Sequence, residues 1–145
     1  MKPYLFFAAF LVIILSLYYR LNPLVSKVSI RNTVFTVEVA ATEQQKQKGL
    51  GGRTSMSEVH GMLFPYDHKE QFEFWMKGMT FPLDFIWIDG KTVADITENV
   101  QPPSGDVRPT IVKPMVAVDK ILEVNAGTVA RIGINVGDTV EFLDR

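Results

Sequence analysis

Residues 71–89 read QFEFWMKGMTFPLDFIWID and hold both tryptophans of the chain. Along the first run Phe72, Phe74 and Met76 fall on one parity, and Glu73, Trp75 and Lys77 on the other. Successive side chains of a strand point to opposite faces, so this alternation predicts a half-buried β-strand. The second run, 81–89, is almost continuously apolar, the pattern of a strand covered on both faces. One acid, Asp84, interrupts it. A carboxyl group on a buried strand is costly unless a cation or several donors meet it, and Lys77 and Arg53 are the candidate partners.

The chain has 145 residues, enough for one ordinary domain. Its formal net charge is -1, with no basic block, which argues against nucleic-acid binding, since that rests on clustered Lys and Arg neutralising phosphates. Cysteine is absent, which excludes disulfides, Cys-ligated zinc and thiol catalysis. The apolar core alone has to hold the fold, and no cofactor is expected.

At the amino terminus YLFFAAFLVIILSLYY is uncharged from Tyr4 to Tyr19 and closed by Arg20. A membrane helix needs about 20 apolar residues, with a lower limit near 17. Tyr4, Tyr18 and Tyr19 stand at its ends, where aromatic rings favour the headgroup zone. A cleaved signal peptide would want small residues before the cleavage point, and Tyr18-Tyr19-Arg20 is bulky. Residues 1–21 are therefore expected to anchor the chain in the lipid bilayer, with 22–27 as a short linker and 28–145 as one extracytoplasmic domain. Positive charges flank both sides of the span, so orientation rests on its likeness to an export signal.

Residues 28–31 and 34–40 alternate and predict a hairpin turning at Asn32-Thr33. Thr42-Glu43-Gln44-Gln45 fits a capping box that opens a short polar helix ended by Gly49. The Gly-Leu-Gly-Gly-Arg run that follows comes after a helix and lacks a phosphate-loop lysine, so it reads as a cap and turn. Residues 61–64 read as a short strand and 65–69 as a polar turn. Asp89-Gly90 turns the chain back into 91–96, and the proline-rich stretch 99–109 reads as a loop of the kind that carries binding residues or lids. Residues 116–124 alternate again, 128–132 form a one-turn helix capped by Gly133, and 139–143 are the last strand. The sum is a mostly β domain, a small antiparallel barrel-like sheet with two short helices.

Gly49-Leu50 with Arg53, GMLF at 61–64, FWMK at 74–77, PLD at 82–84 and LEVNAG at 122–127 resemble, in order and spacing, the uncharacterised domain-of-unknown-function 192 family. The resemblance covers most of 34–142. It implies a small β-rich fold, often behind an export or anchor segment, and supplies no activity. Gly51 stands where the family usually has methionine, and Gly78-Met79 where Asn-Thr is usual.

Arg53, Trp75, Lys77, Asp84 and Glu123 form the leading candidate site: Trp75 offers a stacking face, and the charges would orient a small polar ligand or a protein partner. The plainer alternative is an ion-pair network that fixes sheet register around a core Trp75. A hydrolase would use Glu73, Asp84 and Glu123 as acid and base. His60 and His68 stand beside turns, and no G-x-S-x-G elbow is present. Met56, Met62, Met76, Met79 and Met115 raise soft-metal binding, but methionine is an ordinary core filler, and no metal ligand is assigned.

Overall fold

The computed structural model describes residues 3–21, 24–105 and 108–143, with the side chains at 3–6, 16, 18–21 and 25 outside the described set. β1 (Leu24–Ile30) and β2 (Thr33–Val39) form a hairpin in which Ile30 faces Thr33. Its two turn residues, Arg31 and Asn32, have φ of 48° and 64°, a geometry whose twist matches the flanking strands. The turn therefore sits one residue earlier than the sequence suggests. Thr42 then caps α2 (Glu43–Lys48): its hydroxyl accepts from the Gln45 amide at 3.2 Å, and Gln45 Oε1 accepts from the Thr42 amide at 3.0 Å. The capping box is as expected. The helix is polar throughout, yet it is not exposed on every side, because Gln45 is buried.

β3 (His60–Glu70) runs parallel to β2, with Thr36 opposite His60 and Val39 opposite Leu63. Parallel neighbours need a crossover, and residues 40–59 supply it, passing over one face of the sheet. β3 also corrects the expected turn at 65–69: the strand continues, with its register to the next strand shifting between Pro65 and Glu70. Proline has no N–H for the ladder, so a shift there is the local solution.

β5 (Leu83–Asp89), β6 (Thr92–Val100), β8 (Val118–Asn125) and β9 (Val140–Leu143) complete a seven-stranded sheet in the order β6-β5-β8-β3-β2-β1-β9. Every pairing but β2–β3 is antiparallel. The sheet curls into a half-barrel whose edges touch at a Thr92–Thr139 bridge, where the Val93 amide donates to Asp138 O at 2.9 Å. β4 (Phe74–Trp75) and β7 (Ile111–Val112) form a separate two-stranded ribbon, and α3 (Thr128–Ile132) follows β8 directly. The strand expected at 71–77 is thus only two residues long, although its alternation of burial holds from Phe72 to Lys77.

Two apolar clusters lie on opposite faces. One joins Val28, Ile30, Phe35, Leu63, Ile86 and Leu122 with Val93, Val140 and Val129, and because it spans both edges of the curl it fills the concave side. The other sets Met62, Phe64, Phe85, Trp87 and Ile121 on the convex side beneath Leu50, Met76 and Met79 from the covering loops. β5 is buried on both faces from Leu83 to Ile88, which explains its unbroken apolar run.

α1 (Pro3–Leu21) precedes the β domain, and the large apolar side chains described between Phe7 and Leu17 are 50–78% exposed. Among the described residues no helix is long and apolar enough to cross a membrane. The side chains of Tyr4, Tyr18, Tyr19 and Arg20, on which the ends of the span were placed, lie outside the described residues, as do Asn22 and Pro23. β1 begins at Leu24, so the sheet takes up much of the stretch expected as linker.

Candidate functional site

The register of the convex face sets four side chains in one row. Glu38 on β2 lies opposite Met62 on β3, Met62 opposite Glu123 on β8, and Glu123 opposite Phe85 on β5. Gly61 lets β3 and β8 approach here: a Cβ at that position would sit 2.6 Å from the Glu123 carbonyl oxygen. The crossover covers the row. Its Arg53 donates from Nη1 and Nη2 to the two carboxyl oxygens of Glu38, at 2.5 and 2.7 Å. That fork holds the Glu38 pKa below its ordinary 4.5 and raises that of Arg53.

The cover is pinned from three sides. The Gly52 amide donates to Gly78 O at 2.9 Å, Thr80 Oγ1 donates to Arg53 O at 2.7 Å, and Asn125 Nδ2 donates to Met56 O at 2.8 Å. Gly78 has φ of 72° and leaves its carbonyl free to face the crossover. The Gly-Leu-Gly-Gly-Arg loop and the Lys-Gly-Met-Thr connection, far apart in sequence, are therefore one lid.

Under that lid Glu123 is 5% exposed and, among the described residues, makes no hydrogen bond or ion pair. Burial pushes its pKa up from 4.5 to about 8. No fully sealed side-chain oxygen or nitrogen among the described residues lacks a partner, so the Glu123 carboxyl keeps its small remaining exposure at its oxygens. At neutral pH such a group is a carboxylic acid, able to donate one hydrogen bond and accept others.

The other sequence candidates lie elsewhere. Asp84 points to the concave side, where Oδ1 accepts from the Asn99 amide at 2.8 Å and Oδ2 from the Val129 amide at 2.9 Å. Neither Lys77 nor Arg53 meets it. The β5–β6 register shifts between Leu83 and Phe85, which takes the Asn99 amide, on a residue with φ of 53°, out of the ladder. Gly127, the N-cap of α3, has no side chain to bond the helix amides. Asp84 supplies both missing acceptors. Trp75 and Lys77 are on the outward face of the ribbon: Trp75 is 50% exposed, with the Lys77 ammonium 5.2 Å from its ring centroid. Trp75 is therefore surface, while its neighbour Phe74 enters the aromatic cluster, edge-on to Phe64 at 4.9 Å. Glu73 is also on the ribbon, so the three carboxylates weighed for hydrolysis do not converge.

Glu38 carries no signal in the sequence, because only the parallel pairing of β2 and β3 brings it beside Met62. A second feature missed is a groove of about 550 Å³ lined by Glu43, Lys46, Tyr66, Asp67, His68 and Phe72 among others. Tyr66 stacks on Phe72 at 3.7 Å and carries the Lys46 ammonium 3.9 Å from its other side. His68 Nδ1 lies 2.7 Å from Asp67 Oδ1 and Nε2 3.4 Å from Glu70 Oε2, contacts that raise its pKa. Reading β3 as ending at Phe64 hid this alternation. Met62, Met76 and Met79 are convex-side core, Met56 packs against them, and Met115 is 82% exposed.

Residues 26–142 match the family model DUF192, described as Uncharacterized ACR. The chain belongs to the DUF192 family. No curated protein matches it. A Sinorhizobium meliloti 1021 crystal structure, provisionally described as a transcription regulator, is similar at 34% identity and a TM-score of 0.77, over 83% of this chain and 95% of that one. A protein of unknown function from Novosphingobium aromaticivorans DSM 12444 is similar at 32% identity and a TM-score of 0.73, over 81% and 84%. The segments that carry the DUF192 resemblance meet in pairs: the Arg53 loop on Gly78, Met62 beside Glu123, and Pro82 O accepting from the Ala126 amide at 3.2 Å.

Proposed function

We propose that this DUF192 domain is a membrane-tethered, extracytoplasmic binding module that takes a small polar ligand at the Glu123 carboxyl. The observation that carries the reading is Glu123 itself, nearly buried and without a partner among the described residues. Buried polar groups are almost always hydrogen-bonded, and an exception calls for a use. Met62 and Phe85 flank it, so the fitting ligand has an apolar body and an amine, amide or hydroxyl head that pairs with the acid.

The tether rests on α1. Residues 4–19 are uncharged and almost wholly apolar in sequence, and the described large apolar side chains of α1 are 50–78% exposed. A regulator's role on DNA finds no support in the net charge of -1.

Hydrolysis is the second reading. Glu38 and Glu123 have pKa values pushed in opposite directions and lie two strands apart, about 10 Å at ordinary strand spacing, as an acid and a base would. Arg53 occupies both oxygens of Glu38, which leaves no free base. Binding is therefore the better reading.

The test is a thermal-shift screen of primary amines, amino acids, short peptides and sugars against wild type and Glu123→Gln. A ligand that raises the wild-type melting temperature and fails with the variant supports the site. If the hits stabilise both proteins equally, the carboxyl is not the ligand's contact and the reading fails.

A further inference from the structure

The outward face of the β4–β7 ribbon has no occupant in the fold, and its chemistry is that of a membrane interface. Trp75 and Ile111 are cross-strand partners, 50% and 60% exposed. Lys77 and Lys113 stand two residues beyond each of them, on the same outward parity, and both are exposed. Glu73 shares that parity and, continuing the antiparallel register by one residue, falls opposite Lys113. Further along the segment Met115 and Val116 are 82% and 45% exposed, held out by the Met115 amide donating to Asp95 Oδ2 at 2.7 Å.

The ribbon is rigid where it needs to be. Phe74 anchors it edge-on to Phe64 and Trp87, at 4.9 and 5.8 Å, and the Met76 amide donates to Thr110 O at 3.1 Å. Trp75 can therefore enter another phase without opening the core. An indole with an aliphatic neighbour and a lysine at each end of the pair suits a headgroup layer, where aromatic rings sit at the boundary and long cationic stems reach the phosphates. A polar small molecule would gain little from Ile111 and Met115, and a neutral protein patch would not select the lysines.

We propose that the outward face of the β4–β7 ribbon rests on an anionic phospholipid bilayer, with Trp75 and Ile111 in the interface and Lys77 and Lys113 on lipid phosphates. The inference deepens the tether reading of α1, because a domain joined to a membrane helix through residues 22–23 stays within reach of the surface.

The two tryptophans make the test specific. Trp87 is fully buried, with Nε1 donating to Thr97 Oγ1 at 2.9 Å, so its emission is a fixed internal reference. The β domain, residues 24–145, stands alone as a fold, since a solved relative consists of it over 95% of its length. It is mixed with vesicles of phosphatidylcholine, with and without an equal share of phosphatidylglycerol. A blue shift confined to phosphatidylglycerol vesicles and lost in Trp75→Phe is expected, with partitioning weaker by about thirtyfold or more in Lys77→Glu/Lys113→Glu. A folded domain with no shift on anionic vesicles overturns the inference. So does a concentration-dependent shift without vesicles that sediments as a dimer, because a second copy then covers the face. Fractionation of the full chain separates the tether: full chain in the soluble fraction with vesicle-binding β domain sinks the tether alone. Full chain in membranes with a β domain that ignores vesicles sinks the ribbon inference alone.

Discussion

Replacing Glu123 by glutamine keeps its volume and hydrogen-bonding head but removes the proton that burial controls. In the folded chain the Glu123 pKa is about 8, against an ordinary 4.5. Between those values the native state holds a proton that the unfolded chain has released, so native stability falls as pH rises from 4.5 towards 8. Each pKa unit is worth 1.36 kcal/mol. At pH 7 the wild type has therefore lost about 3 kcal/mol relative to a side chain that cannot ionise, and below pH 4 it has lost almost none. Denaturant melts of wild type and Glu123→Gln at pH 4, 5.5 and 7 measure the difference, and other titrating groups cancel in the comparison. The gap should widen with pH by about 3 kcal/mol in favour of glutamine, on the order of 10 °C in melting temperature at neutral pH. A gap that stays flat across this range would mean that water or an unrecognised partner solvates the ionised carboxyl, and the closed lid over Glu123 would be the wrong description.

Asp84→Asn leaves one of two buried amides facing an NH₂ group, and should cost about 2–4 kcal/mol with faster hydrogen exchange at Asn99 and Val129. If exchange at those amides is unchanged, Asp84 does not hold α3. Gly61→Ala forces a methyl group onto the Glu123 carbonyl and should cost about 2 kcal/mol or more by chemical denaturation. Arg53→Ala should cost only about 1 kcal/mol, because the pair is 37% and 30% exposed and screened. Glu38 is depressed, so that contribution is present above pH 4.5 and fades as pH falls below it, the opposite sense to Glu123; acid melts of the variant test this. His68 should titrate above 6.5 by NMR, and Asp67→Asn should bring it down, with no movement counting against the Asp67 contact.

Local signals were legible in the chain wherever the decisive contacts are local. The Thr42–Gln45 box, the one-turn helix at 128–132, the Asp89-Gly90 turn and the doubly covered strand β5 depend on neighbours within a few residues or on one strand's own pattern. Pro65 and the charged residues after Tyr66 resemble a turn in sequence, and pairing with β8 is what keeps that segment extended. Asp84 was expected to meet a cation. Two amides from a bulge and a helix end serve instead, and neither is visible as a charge in the sequence.

The sequence by itself determined a cysteine-free β domain behind an apolar amino-terminal segment, because periodicity, capping chemistry and turn residues act over short range. Tertiary structure decided which of its charges meet. Parallel pairing of β2 with β3 carries the crossover over the convex face, so Arg53 finds Glu38, and the same lid leaves Glu123 buried without a partner among the described residues. Strand register, set by packing along the whole sheet, sorts Asp84 and Glu123 to opposite faces although both stand on neighbouring strands.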